Sequence, residues 1–139
     1  MTAASATARS VTPPDLTITP RDRKFVRKQR PARWWNGGDP VATALYNALS
    51  ATFPEGEAFF VESVRMYRDG AAPKLAGEIK AFTTQEVIHS REHLAFNRQA
   101  SDAGYDLTRL EADVEKRLAV TAEKPPIVSL AATMALEHF

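Results

Sequence analysis

The chain has no cysteine, which excludes both a disulfide framework and any thiolate metal site. It also has no apolar run near the ~20 residues that a membrane-spanning helix requires. No period-two alternation marks a strand, no internal repeat appears, and neither a Ser-His-Asp set nor a glycine-rich phosphate loop is present. Net charge is only +1, so no strong electrostatic case for nucleic acid exists. Met1 to Ser10 is small and polar without an apolar core, unlike a secretory signal. Together with the missing cysteine, this points to a bacterial-type cytoplasm. What remains is an ordinary soluble composition, 44% hydrophobic and 25% charged, in 139 residues, enough for one domain.

Basic residues cluster before the apolar segments begin: Arg21, Arg23, Lys24, Arg27, Lys28, Arg30 and Arg33. With little aromatic material interleaved, the run reads as a solvated arm rather than a specific nucleic-acid site. Residues 1–32 are therefore expected to form a disordered basic arm, and 33–139 a helical metal-binding domain.

The spacing predicts helices throughout. Asp39-Pro40 is a helix start, with aspartate as N-cap and proline in the first turn. Val41, Leu45, Ala48 and Leu49 then fall at helical spacing, which suggests an inward stripe over Val41 to Thr52. Phe53-Pro54 reads as a break, with Pro54 opening a second helix to Arg68 that carries Phe60, Val64 and Tyr67 on the face of Phe53 and Glu57. Pro73 opens a long helix to about Ala103, closed by Gly104. Leu107 to about Thr121 is amphipathic, and Ile127 starts an apolar helix still running at Phe139. Because that helix has no C-cap signal and its apolar face lacks a match, a homodimer or a missing C-terminal segment is expected. The resulting fold class is an all-α, ferritin-like helical bundle, incomplete within this chain.

Chemistry concentrates in the long third helix. Its stripe runs Leu75, Ile79, Phe82, Glu86, His89, His93, Phe96, so ligand-type residues replace apolar ones where the face should stay apolar. Glu86-x-x-His89 is half of what a carboxylate-bridged di-metal site takes from a four-helix bundle. Glu57 and Glu137 lie at plausible inward positions on two other apolar helices. For Glu57 the bland alternative is a first-turn glutamate that complements the helix dipole. His93 reads as an orienting hydrogen-bond partner or a further ligand. His138 lies one residue round from Glu137 and reads as bonding elsewhere or as a possible ligand. Trp34 and Trp35 read as a lid over the bundle end. Oxygen and imidazole donors suit a divalent metal, with iron favoured over manganese or zinc.

Several motifs together carry a resemblance. They are Arg33-Trp34-Trp35, Gly38-Asp39-Pro40, Asn47-Ala48-Leu49-Ser50, Phe53-Pro54-x-Gly56-Glu57-x-Phe59-Phe60, Gln85-Glu86-x-x-His89-x-x-x-His93-x-x-Phe96-Asn97 and Leu136-Glu137-His138-Phe139. From Arg33 to Phe139 the sequence resembles the bacterial family labelled predicted metal-dependent hydrolase, related in architecture to ferritin-like di-iron proteins. The resemblance implies Glu57, Glu86, His89 and Glu137 as metal ligands, and a second Glu-x-x-His segment downstream in family members. It implies an enzyme, either a metal-dependent hydrolase or a di-iron oxidase acting on a small-molecule substrate of unknown identity. A metal-free helical interaction module that needs a partner chain is the alternative.

Overall fold

The computed structural model describes residues 15–25 and 31–138. Residues 1–14 and 26–30 of the expected arm, including Arg27, Lys28 and Arg30, lie outside this range, as does Phe139. Among the described residues all regular structure is helical: α1 (Pro40–Arg65), α2 (Pro73–Asp102), α3 (Thr108–Ala119) and α4 (Pro126–His138). The all-α reading therefore holds. No helix is long and apolar enough to cross a membrane.

α1 is the hub. It packs against α2, α3 and α4, whereas those three do not pack on one another among the described residues. Its start follows the sequence signal: Asp39 Oδ1 accepts the N–H groups of Val41 and Ala42 at 2.8 and 3.1 Å, covering two donors that have no partner inside the helix.

The expected break at Phe53-Pro54 is wrong. α1 runs through Pro54 without interruption. A proline inside a helix removes the hydrogen bond to the carbonyl four residues back, here Ser50, and costs about 3 kcal/mol in isolation. That carbonyl is not abandoned, because Asn97 Nδ2 on α2 donates to it at 3.2 Å. A tertiary contact thus supplies what the local sequence withholds. The second correction is the end of this helix, which stops at Arg65 rather than Arg68.

The third correction concerns the face that α1 buries. Val41, Leu45 and Leu49 are exposed, and the buried residues of this half are Thr43, Asn47, Ser50 and Ala51. Polar pairing overrides apolar spacing here. Thr43 Oγ1 donates to Asp39 O at 2.6 Å, and Asn47 Oδ1 accepts from Trp35 Nε1 at 2.9 Å. Trp35 in turn meets Phe96 edge-on at 5.2 Å, so it is the tryptophan that packs. Trp34 stays 41% exposed, beside Arg33 and the edge of Tyr105.

Among the described residues the interior holds eight buried polar or charged side chains against six apolar ones. Directed bonds therefore contribute to specificity as much as hydrophobic burial does. Three of the six apolar residues, Ala51, Ala100 and Leu107, form one cluster, with Tyr105 against it. The turn after α2 places them there. Gly104 takes φ +92°, while Gly104 N–H bonds Ser101 O and Tyr105 N–H bonds Ala100 O, closing the helix end in a Schellman motif.

α4 is tied to α1 by another buried polar pair. Ser63 Oγ donates to Phe60 O at 2.9 Å, so Thr133 Oγ1 is left to donate to Ser63 Oγ at 2.7 Å. Thr133→Val keeps the shape and removes that donor. It should lower unfolding free energy by about 1 kcal/mol in denaturant titration, with Thr133→Ser close to wild type. An unchanged midpoint for Thr133→Val would show that this bond does not help hold α4.

Candidate metal centre

Continuity of α1 decides how Glu57 is to be read. The residue lies roughly five turns inside the helix rather than in a first turn, so complementing an N-terminal dipole is excluded. Its side chain is 1% exposed. Burial is the main force on its carboxyl, raised to about 8; the charges of Glu86 and Glu137 push the same way, and Ser90 hydrogen bonding opposes them. Neither carboxyl oxygen accepts a well-directed hydrogen bond among the described residues. His89 Nδ1 comes within 2.7 Å of Oε1, off the line of a donated N–H. A carboxylate buried in this way needs a proton or a cation beside it.

α2 brings the rest, one turn apart. Glu86 is buried and its carboxyl is raised to about 7, by burial first and then by the Glu137 charge. Its Oε2 lies 3.9 Å from His89 Nδ1. His93 follows, with Nε2 3.0 Å from His89 Nε2 and its ring stacked on Phe53 at 4.4 Å and 19°. Burial, then the neighbouring His89, lowers the His93 imidazole to about 4, so it is neutral at physiological pH. On its far side His93 Nδ1 lies 2.7 Å from Ser50 Oγ.

Glu57, His89 and His93 each offer a ligand atom, and these atoms lie within 4.8 Å of one another. The donor set fits a divalent cation: a buried, under-bonded carboxylate beside two imidazoles is the composition of many zinc and iron sites. Of the residues singled out in the sequence, Glu57, Glu86, His89 and His93 are therefore brought to one region. Glu137 is exposed on α4, near enough for its charge to act on Glu57 and Glu86. His138 is exposed at the end of α4. Sequence reasoning quoted Ser50 and Asn97 only within longer motifs and gave neither a role. The available signal was Ser50 standing four residues before Pro54, since a helix that continues through a proline must find another donor for that carbonyl.

Two cavities flank His89. One, of about 340 Å³, is walled by Trp35, Tyr46, Leu49, Phe53 and Phe96 and opens beside His89 and His93. The other, of about 480 Å³, lies between the 21–25 segment and the Glu86–His89 face of α2, with Arg21 and Arg23 in its wall. That segment is fixed to α2 by Arg91 Nη2, which donates to Asp22 Oδ1 at 2.7 Å, and by Glu92 Oε2, which accepts from Phe25 N–H at 3.0 Å.

Residues 19–139 match the family model described as "Predicted metal-dependent hydrolase". No match was found among curated proteins or among solved structures.

The raised carboxyls set the pH dependence of the metal-free protein. A folded-state pKa above the unfolded value contributes stability that is present below about 4.5 and lost as pH rises through 7 and 8 for Glu86 and Glu57. His93, lowered to about 4, contributes in the opposite sense, but only below about 6.5. The chelator-treated protein should therefore melt at falling temperature between about pH 6.5 and 8, and Glu57→Gln should flatten that slope. A melting temperature that rises across the same window would contradict the burial of these two carboxyls.

Proposed function

The chain belongs to the family of predicted metal-dependent hydrolases, and from that premise we propose that it hydrolyses a small-molecule substrate at a divalent metal held by Glu57, His89 and His93. The observation that carries this reading is the ligand composition, one carboxylate with two imidazoles. Catalytic zinc sites use that set when they leave a position open for water or substrate. When bound there, the ion supplies Lewis acidity, polarising the substrate's electrophile and acidifying water.

The chain's own residues divide the remaining work. Glu86 stands 3.9 Å from His89 Nδ1 with its carboxyl near 7 in the metal-free protein, which suits it to take a proton from water and return it to the leaving group. The Glu137 charge helps keep Glu86 in that range. The open aromatic cavity beside the imidazoles supports an apolar substrate group set against Trp35, Phe53 and Phe96. Exposed His89 supports access from solvent, since its side chain is 51% accessible.

A second reading rests on the acidic residues around the cluster. The charges of Glu86 and Glu137 act on Glu57, and that of Glu137 acts on Glu86. Three carboxylates suit hard, oxidisable iron, and on this reading the helices form the carboxylate-rich part of a ferritin-like di-iron oxidase.

Elemental analysis of purified protein should find stoichiometric metal, mostly lost in Glu57→Ala and in His89→Ala. Zinc- or manganese-loaded protein should cleave esters or amides bearing apolar groups, and Glu86→Gln should lower kcat by about 100-fold while retaining metal. Loading with ferrous iron followed by air should give no oxo-bridged ferric absorption. Appearance of that spectrum without hydrolysis selects the oxidase, and equal metal content in wild type and Glu57→Ala removes both readings.

A further inference from the structure

Proton placement around His93 follows from one atom that can only accept. The Ser50 carbonyl has lost its backbone donor to Pro54, and the Asn97 side chain lies 3.2 Å from it. The amide must therefore present Nδ2 to that oxygen, which turns Oδ1 toward Ser50 Oγ at 2.7 Å. An amide oxygen only accepts, so the Ser50 hydroxyl commits its single hydrogen to Asn97. Ser50 Oγ can then only accept from His93 Nδ1, 2.7 Å away. A neutral imidazole with its proton on Nδ1 carries a lone pair on Nε2, the atom 3.0 Å from His89 Nε2.

We propose that Ser50 and Asn97 are positioning residues that fix His93 in its Nδ1–H tautomer and so present Nε2 as a ligand atom to the metal. Ligating histidines generally donate their other ring N–H to a fixed acceptor, which sets tautomer and ring orientation and raises ligand basicity. Here the acceptor is a hydroxyl, itself oriented by a buried amide. The π-face of Phe53 holds the imidazole plane, leaving Ser50 to fix its rotation. Asn97 thus has two separable duties. Its Nδ2 repairs the helix at Pro54, and its Oδ1 directs the hydroxyl that directs the histidine.

The effect on metal affinity rests on Glu57, His89 and His93 being ligands, whereas the tautomer assignment does not. Long-range proton–nitrogen spectra of the imidazoles in chelator-treated protein should show His93 protonated on Nδ1; protonation on Nε2 overturns the proposal. Zinc titration and thermal melting of Asn97→Ala, alone and combined with Pro54→Ala, then separate the two duties. Asn97→Ala should lower Tm by about 5 °C and weaken zinc binding about 10-fold. Adding Pro54→Ala restores a backbone N–H to the Ser50 carbonyl, so Tm should recover while zinc binding stays about 10-fold weak. Recovery of both would mean that Asn97 only patches the helix, and the proposal fails. Ser50→Ala leaves the Asn97–carbonyl bond in place and should weaken zinc binding to a similar degree, full affinity again being the overturning result. Wild-type protein that binds no zinc overturns the ligand reading alone, and the imidazole spectrum then decides the positioning by itself.

Discussion

A missing backbone hydrogen at Pro54 organises this molecule. An uninterrupted α1 requires that the Ser50 carbonyl be satisfied from elsewhere, and the donor comes from the middle of α2. That bond, with the Ser50–Asn97 and Ser50–His93 bonds beside it, is one of the directed contacts that fix how α1 and α2 align. Once that alignment is set, Glu57 of α1 and the Glu86–His89–His93 ladder of α2 stand at one level.

The polar interior follows from the same logic. Thr43, Asn47, Ser50 and Ser63 occupy the buried face of α1 and each makes directed bonds to a neighbouring segment. Each such bond contributes on the order of 1 kcal/mol, less than a buried leucine, but leaving one unmade costs more. A face of this kind tolerates few alternative registers, which suits a scaffold that must hold ligand atoms within fractions of an ångström. The price is low apolar burial: Val41, Leu45 and Leu49 stay at the surface while small polar residues take the inside.

Much of the site was legible in the sequence, and less of the packing. Glu86-x-x-His89 followed by His93 keeps to one helical face by periodicity, whereas Glu57 was added to them by its inward stripe and the family resemblance, as was Glu137, which is exposed on α4. Asp39-Pro40 and Gly104 marked helix ends because capping is local chemistry. Pro54 misled because its local meaning is a break, and only a residue 43 positions away reverses it. The stripe of Val41, Leu45 and Leu49 misled for a related reason: apolar spacing assumes that burial is apolar, whereas here hydrogen bonds to Trp35, His93 and Asn97 select the other face. His93 was ambiguous in the sequence because its Nδ1 partner, Ser50, stands 43 residues away and no spacing rule connects the two.

Buried charge gives the final constraint. Glu57 and Glu86 resist ionisation first because they are buried; the Glu86 charge further disfavours ionisation of Glu57, and the Glu137 charge acts on both from α4. Without a cation the protein accommodates this by keeping protons on the carboxyls, at a cost that grows as pH rises. A divalent ion reverses the sign of the interaction, since each carboxylate then faces a positive charge and the protons leave. Binding to the folded state alone also stabilises that state by mass action. Among the described residues α2 and α4 both pack on α1 but not on each other. Where these carboxyls do ionise they repel, and a cation at Glu57 would turn that repulsion into attraction.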